Sequence, residues 1–245
     1  MQIQKIQEKA LKINKNLYFY LTYLLIIYTD DIITLAYNEE TNIPILIEKV
    51  TKALSGIDYE LIIVDDGSID NTADVAKKFE DKHPIRVIRR EHNKGKIEAL
   101  KTSLQAARGE FIAFLDADLE YLPEALSTML QKALQGHDLV VATRIDTRPL
   151  HRRIVSSGAR FLAKLLFAKL RRYGDPTTEM VLIRRELCSQ YKLKNYIKPF
   201  IPLLLIAEKP AEIEIQLASR SSGKSSFRVK WIFMYFYELL DLIIK

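Results

Sequence analysis

The chain has 245 residues, enough for one large α/β domain with a sizeable core. Hydrophobic residues make up 48% and charged residues 28% of the sequence, which excludes an intrinsically disordered chain. Cys188 is the single cysteine, so an internal disulfide is excluded and a reducing compartment is favoured. The net charge of +6 favours an anionic partner, and the lack of any recognition motif argues against nucleic acid.

Residues 1–30 are predicted to form an N-terminal apolar and basic extension outside the functional domain. Lysines are scattered through its first half, and residues 17–28 are almost wholly apolar. This apolar run is too short to cross a bilayer, which takes roughly 20 residues. No small-residue cleavage site of a signal peptide follows it. The alternatives are a helix that packs or lies at a membrane interface, and an upstream extension with neither role.

From residue 31 onward, strand-like apolar runs alternate with helical stretches. The predicted strands cover residues 32–36, 60–65, 85–89, 110–115 and 138–142. The predicted helices cover residues 42–54, 70–81, 95–107 and 123–135. This alternation predicts a Rossmann-like, doubly wound and mostly parallel sheet flanked by helices.

Polar residues cluster where three of the predicted strands end. The first strand leads into Ala36-Tyr37-Asn38-Glu39-Glu40, and the second leads into Asp65-Asp66-Gly67-Ser68. Ligands of open α/β sheets bind beyond the carboxyl ends of the strands. Adjacent carboxylates such as Asp65 and Asp66 repel each other, so a ligand or a cation explains them better than packing does.

The fourth predicted strand ends in Asp116-Ala117-Asp118, the most informative motif of the chain. Two carboxylates at this spacing suit Mg²⁺ or Mn²⁺, which takes its remaining ligands from water and substrate phosphates. Asp116 and Asp118 are therefore the predicted metal ligands, and Glu120 is a candidate third oxygen ligand.

The order of five motifs resembles the nucleotide-sugar half of family 2 glycosyltransferases with the GT-A fold. The motifs are Tyr37-Asn38-Glu39, Val64-Asp65-Asp66-Gly67-Ser68, Asn93-Lys94-Gly95-Lys96, Ala107-Arg108-Gly109-Glu110 and Asp116-Ala117-Asp118. The resemblance implies that Tyr37, Glu39 and Asp66 hold the base and ribose, and that Asp116 and Asp118 lie at the diphosphate. The full set of predicted donor-binding residues is Ala36, Tyr37, Glu39, Asp65, Asp66, Lys96, Asp116 and Ala117.

The second half of the chain is most similar to dolichol-phosphate (polyprenyl-phosphate) mannose synthases. The matching segments are Val141-Ala142-Thr143-Arg144, Arg152-Arg153, Asp175-Pro176-Thr177-Thr178 and Arg220-Ser221-Ser222-Gly223-Lys224-Ser225. This chain departs from that group at Glu120, at Glu179-Met180, which replaces Gly-Phe, and at Ser226. The resemblance implies an inverting transfer of a hexose, mannose from GDP-mannose, to a polyprenyl phosphate. The implied catalytic residues are Asp118, Arg144, Arg153, Asp175, Arg220 and Lys224.

The charge of the acceptor decides what chemistry such a site needs. A phosphate monoester carries about −1.5 to −2 charges near pH 7, so its oxygen is already nucleophilic and needs no strong base. The arginines would instead steer phosphates through bidentate contacts. For the alternative acceptor, a hydroxyl of a glycan or glycolipid, a general base is required, and Asp175 or Glu179 is the candidate. A third alternative is an inactive module that binds nucleotide sugar or lipid.

Two segments predict contact with a membrane surface. Residues 150–173 combine arginines and lysines with large apolar side chains, as interfacial helices do. An ordinary surface helix is the alternative interpretation. Residues 231–244 are apolar except for Glu238 and Asp241, and they should pack on the domain or lie in the membrane plane. The predicted domains are therefore 31–227 for catalysis and 228–245 for this helix, in a peripheral protein on the cytoplasmic face of a membrane.

Overall fold

The computed structural model describes residues 29–145, 150–190, 193–218 and 230–244. In this part of the chain, seven strands form one sheet. They are β1 (Asp30–Ala36), β2 (Tyr59–Asp65), β3 (Ile85–Arg89), β4 (Phe111–Phe114), β5 (Leu139–Ile145), β6 (Val181–Arg184) and β7 (Pro210–Gln216). Residues 1–28 of the predicted N-terminal extension lie outside the described residues, whereas Asp30 already belongs to β1. Two of the predicted catalytic residues, Arg220 and Lys224, also lie outside them.

Helices cover both faces of this sheet. They are α1 (Asn42–Ala53), α2 (Thr72–Lys77), α3 (Lys96–Ala106), α4 (Ala125–Leu134), α5 (Leu150–Leu166), α6 (Arg185–Ser189), α7 (Ile201–Ile206) and α8 (Lys230–Ile243), with a 3₁₀ helix at Ala168–Arg172. The predicted second helix is shorter than expected at both ends. The basic segment expected over 150–173 divides into α5 and the 3₁₀ helix, because Leu170 and Tyr173 turn into the core.

The strands are arranged in the order β3-β2-β1-β4-β6-β5-β7. The pairs β1–β2, β1–β4 and β2–β3 are parallel, whereas β6 is antiparallel to both of its neighbours, β4 and β5. The predicted mostly parallel, doubly wound sheet is therefore confirmed. Its parallel half brings the carboxyl ends of β1, β2 and β4 to one edge, which is where the polar motifs lie.

The core has two layers because neighbouring residues of each strand face opposite sides of the sheet. Ile32 belongs to the layer beneath α1 and α4, and its neighbour Ile33 belongs to the layer beneath α3, α5 and α7. Tyr235 and Leu239 of α8 join this second layer, and Leu239 is fully buried. Burial of such a leucine contributes about 1.5–3 kcal/mol, so one side of α8 is firmly attached to the domain.

The Ala107-Arg108-Gly109-Glu110 motif connects the start of β4 to the start of β1. This is the opposite end of the strands from the polar motifs. Asp31 accepts hydrogen bonds from the backbone N–H groups of Arg108 and Gly109, both at 2.6 Å. A side chain at Gly109 would place its Cβ 2.3 Å from the Thr29 carbonyl oxygen, so glycine is required at this close approach. The motif therefore sets where β4 begins, and through β4 it sets the position of Asp116.

Candidate active site

The loops after β1 and β2 are locked together by hydrogen bonds. The backbone N–H of Asn38 donates to Ser68 Oγ at 2.8 Å, and that of Ile69 donates to Asn38 Oδ1 at 3.0 Å. The Glu39 N–H donates to Thr72 Oγ1 at 2.8 Å. Glu39 also accepts a hydrogen bond from Asn42 Nδ2 at 2.6 Å, which fixes its carboxylate at the start of α1. The two loops therefore form one rigid wall.

Asp65 and Asp66 have different roles in this wall. Asp65 is fully buried and accepts hydrogen bonds from the backbone N–H and hydroxyl of Ser68, so it holds the turn. Asp66 accepts hydrogen bonds from Arg90 Nη1 at 2.5 Å and from the Gly95 N–H at 2.9 Å. Asp66 thereby fixes the position of the segment between β3 and α3. Of this adjacent pair of carboxylates, Asp65 supports the loop from inside.

Small residues and one exposed ring shape the surface of this wall. Ala36 is buried at the end of β1, and its carbonyl accepts a hydrogen bond from the Asp66 N–H at 2.9 Å. Ala117 is buried in the neighbouring turn after β4. A Cβ at Gly67 would lie 2.6 Å from the His92 carbonyl carbon, and its φ of +70° also favours glycine. The Tyr37 side chain is 44% exposed, so its ring offers a flat apolar face to a ligand.

Asp116 and Asp118 lie at the end of β4, each partly exposed. Asp116 Oδ1 is 3.0 Å from Lys96 Nζ, and Asp118 Oδ1 accepts the Glu120 N–H at 3.0 Å. Leu119, which follows, has a φ of +59°, a conformation that costs a leucine about 1–3 kcal/mol. The other described non-glycine residue with a positive φ is Asn38, after β1. Strained backbone at two neighbouring strand ends is typical of a functional site.

The two aspartates fit a Mg²⁺ or Mn²⁺ ion that takes its other ligands from phosphate and water. Their carboxylates are hard oxygen donors, and both are accessible. Among the described residues, no group of three or more His, Cys, Asp or Glu side chains is arranged to hold a metal ion. Glu120 therefore does not complete an acidic cage with Asp116 and Asp118. The physical reason is the left-handed turn at Leu119, after which the Glu120 side chain is buried.

Lys96 connects Asp116 to a carboxylate from a distant part of the chain. Its Nζ contacts Asp116 and also Glu179 Oε2, and Glu179 Oε1 accepts Lys198 Nζ at 2.6 Å. Burial raises the pKa of Asp116, and the Lys96 ammonium only partly offsets this. Burial also acts to raise the pKa of Glu179, but Lys198 and Lys96 hold it well below its usual range. Glu179 is thus a poor general base, and that alternative role for it loses support.

Arg144 and Asp175 are brought together as a buried ion pair. Arg144 Nε contacts Asp175 Oδ2, and its Nη2 donates to Thr177 Oγ1 at 3.1 Å. Arg160 Nη1 lies 3.7 Å from the same carboxylate. Asp175 is fully buried, and although burial acts to raise its pKa, Arg144 holds that pKa below the usual value. A carboxylate so tightly paired is a poor general base as well.

Three residues remain to be placed: Arg153, Lys198 and Glu179. Arg153 is exposed at the start of α5. Lys198 was absent from the predicted residues because the segment before α7 carries no motif. Glu179 could be singled out from the sequence as a departure from the Gly-Phe of similar chains and as a candidate general base, but its contacts with Lys96 and Lys198 could not be predicted.

The fold and the site define a class of protein: a GT-A-like α/β domain whose parallel strands lead into carboxylates at one edge of the sheet. Residues 31–192 match the family described as "Glycosyl transferase family 2". The chain belongs to this family.

Two similar proteins within this family are named for transfer to a polyprenyl phosphate. The chain is 28% identical to the dolichol-phosphate mannosyltransferase of Pyrococcus furiosus, over 84% of this chain and 61% of the relative. It is 31% identical to the undecaprenyl-phosphate 4-deoxy-4-formamido-L-arabinose transferase of Proteus mirabilis, over 84% of this chain and 65% of the relative. The chain therefore spans somewhat less than two thirds of the length of these relatives.

Solved structures show the same fold. Glucosyl-3-phosphoglycerate synthase from Mycobacterium tuberculosis, in complex with Mn²⁺, UDP and phosphoglyceric acid, superposes with a TM-score of 0.68 at 23% identity. The match covers 89% of this chain and 78% of that one. A second structure of that enzyme, with Mg²⁺ and UDP, gives a TM-score of 0.64 at 25% identity, over 80% of this chain and 73% of that one.

Proposed function

We propose that the chain carries the catalytic domain of a metal-dependent, inverting glycosyltransferase that moves a hexose from a nucleotide sugar to a polyprenyl (dolichyl) phosphate. GDP-mannose is the expected donor, and mannose is the sugar that is transferred. The observation that carries this proposal is the pair of accessible carboxylates, Asp116 and Asp118, at the end of β4 in a family 2 fold. The names of the two curated relatives, which both act on a polyprenyl phosphate, support the acceptor.

In this proposal the donor lies along the wall formed by the loops after β1 and β2. Tyr37 offers its exposed ring to the base, and Glu39 and Asp66 accept hydrogen bonds from the base and ribose hydroxyls. Asp65 keeps the turn in place from beneath. The diphosphate then reaches the end of β4, where Asp116 and Asp118 would hold Mg²⁺ or Mn²⁺. The bound ion would act as a Lewis acid that neutralises the departing diphosphate.

The acceptor phosphate is proposed to attack without a protein base. One of its ionised oxygens forms a bond to the anomeric carbon, while the bond from that carbon to the diphosphate oxygen breaks and leaves its electron pair on the diphosphate. A single in-line displacement of this kind inverts the anomeric configuration. Arg153, Arg220 and Lys224 are the proposed cations for the acceptor phosphate, since Arg144 is already engaged by Asp175.

We further propose that α5 and α8 bring the site to an anionic membrane surface on the cytoplasmic side. Within the described ranges, no helix is both long enough and apolar enough to span a membrane. Apolar side chains are nevertheless exposed on both helices, including Ile154 and Phe161 of α5 and Phe233 and Tyr237 of α8. Basic residues accompany them on α5, and this combination matches an anionic lipid interface.

Binding to vesicles tests this association. Replacing Arg152, Arg153 and Lys164 together by glutamine should weaken binding to vesicles with anionic lipid on the order of a hundredfold, because each basic residue near such a surface contributes about 1 kcal/mol. A cosedimentation assay at two salt concentrations measures the effect, and salt should weaken the wild type. Exchange of the exposed lysines Lys52, Lys77 and Lys78 removes the same charge elsewhere and serves as the control. Salt-independent binding without preference for anionic lipid would contradict the electrostatic part of the proposal.

A panel of labelled nucleotide sugars tests the reaction. The protein is incubated with each donor, a divalent cation and short- or long-chain polyprenyl phosphate, and the products are extracted into organic solvent. Acid-labile label in the lipid fraction, greatest with GDP-mannose, is the expected result. Label in a polymer would favour a hydroxyl acceptor, and nucleotide binding without any transfer would favour a binding module.

A further inference from the structure

Glu179 binds two lysines at once, one through each carboxylate oxygen. Lys96 contacts Oε2, and Lys198 Nζ lies 2.6 Å from Oε1. Lys96 also lies 3.0 Å from Oδ1 of Asp116, a proposed metal ligand. The order of charges is therefore Asp116, Lys96, Glu179 and Lys198, with alternating signs. A single lysine is thus shared by two carboxylates, of which one is held by a second lysine.

The three members of this cluster other than Asp116 come from three separate parts of the fold. Lys96 is the first residue of α3, and Glu179 comes two residues before β6. Lys198 lies in the segment before α7, where Glu238 of α8 accepts hydrogen bonds from the backbone N–H groups of Ile197 at 2.8 Å and Lys198 at 3.2 Å. The Glu179 side chain is about one fifth exposed and the Lys96 side chain about two fifths, so solvent screens the Lys96 contacts in part.

We propose that Glu179 is a positioning residue that shares Lys96 with Asp116 and so leaves the Asp116 carboxylate open to a divalent cation. This inference rests on the proposed metal-dependent function. A lysine with Asp116 as its single anionic partner would neutralise that carboxylate and compete with the metal for it. Glu179 draws Lys96 partly away. Lys198 limits this effect. It binds the other oxygen of Glu179 and so weakens the attraction between Glu179 and Lys96.

This arrangement predicts changes of opposite sign from two substitutions in one cluster. Glu179→Gln should raise the dissociation constant for Mn²⁺ about tenfold, because Lys96 is left with Asp116. Lys198→Met should lower it about threefold, because Glu179 then holds Lys96 alone. A loss of packing or local order would weaken Mn²⁺ binding in both variants. The difference in sign therefore separates positioning from a merely structural role.

The measurement is a Mn²⁺ titration without nucleotide, repeated with GDP against a blank of GDP and Mn²⁺ alone. In both cases the electron paramagnetic resonance signal reports free Mn²⁺. Glu98→Gln is the matched control, since it removes the same charge from an exposed ion pair on α3. Circular dichroism confirms that each variant is folded, and Lys198→Arg should return the affinity to the wild-type value.

The possible outcomes separate the two proposals. If the wild type binds Mn²⁺, Asp118→Asn abolishes binding and the two cluster variants shift in opposite directions, both proposals are supported. If Asp118→Asn abolishes binding but Glu179→Gln leaves the affinity unchanged, or both cluster variants weaken it, the role of Glu179 is overturned and the metal site stands. If the wild type binds no Mn²⁺ either alone or with GDP present, or Asp118→Asn binds it equally well, the proposed metal site falls and the role of Glu179 with it.

Discussion

Asp118→Ala is expected to abolish sugar transfer while the protein stays folded. Loss of a metal ligand at the departing diphosphate removes several kcal/mol of transition-state stabilisation, which corresponds to a decrease in kcat on the order of a thousandfold or more. Asp118 lies in a partly exposed turn, and its carboxylate accepts a hydrogen bond from the Glu120 backbone N–H. The free energy of unfolding should therefore fall by only about 1 kcal/mol.

Initial rates with the preferred donor, together with urea unfolding, test this expectation. Asp81→Ala, which removes an exposed carboxylate away from the strand ends, should leave both quantities unchanged. Excess chelator should reproduce the effect of Asp118→Ala in the wild type, and added Mn²⁺ or Mg²⁺ should reverse it. Full activity in excess chelator would refute the metal-dependent mechanism.

Arg144→Ala is expected to reduce stability as well as activity. Removing one partner of a buried ion pair typically costs about 3–5 kcal/mol, because the other charge stays buried without compensation. Here Asp175 is fully buried, and Arg160 at 3.7 Å can replace only part of the lost contact. We therefore expect about 3 kcal/mol of lost unfolding free energy. The exposed pair of Lys101 and Glu98 provides the control, since Lys101→Ala should cost at most about 1 kcal/mol.

The dependence on pH gives a second check of the Arg144–Asp175 pair. The folded protein holds the pKa of Asp175 below its ordinary value of 3.8. The pair therefore stabilises the fold fully above pH 3.8, and this contribution is lost as the pH falls through the lowered pKa. The difference in unfolding free energy between the wild type and Arg144→Ala should be constant near neutral pH and shrink in acid. A difference that grew on acidification would contradict the assignment.

The first half of the fold could be predicted because its strands are continuous apolar runs that end in polar motifs. β6 is not predicted because a four-residue strand with three buried residues, directly before a helix, gives no periodic signal. β7 was missed although its residues alternate, since Glu212 and Glu214 make it resemble an exposed segment. Its pairing with β5 depends on a contact between distant parts of the chain, which local patterns do not report.

The same limit applies to the candidate site. Motif order was enough to place Asp116 and Asp118 together with Tyr37 and Glu39 at one edge of the sheet. It gave no indication that Lys96 would meet Glu179, 83 residues further along the chain. Nor did it show that Arg144 would form an ion pair with Asp175. A matched motif identifies residues but does not indicate which other side chains they contact.

The position of Glu238 links the exposed apolar surface of α8 to the carboxylates at the strand ends. Its contacts with the backbone of Lys198 begin a continuous run of polar contacts through Glu179 and Lys96 to Asp116. If attachment of α8 to a vesicle changes the affinity for Mn²⁺ by some factor, Mn²⁺ must change the affinity for the vesicle by the same factor. The two binding events thus form a closed cycle of four equilibria, and measuring any three of them fixes the fourth.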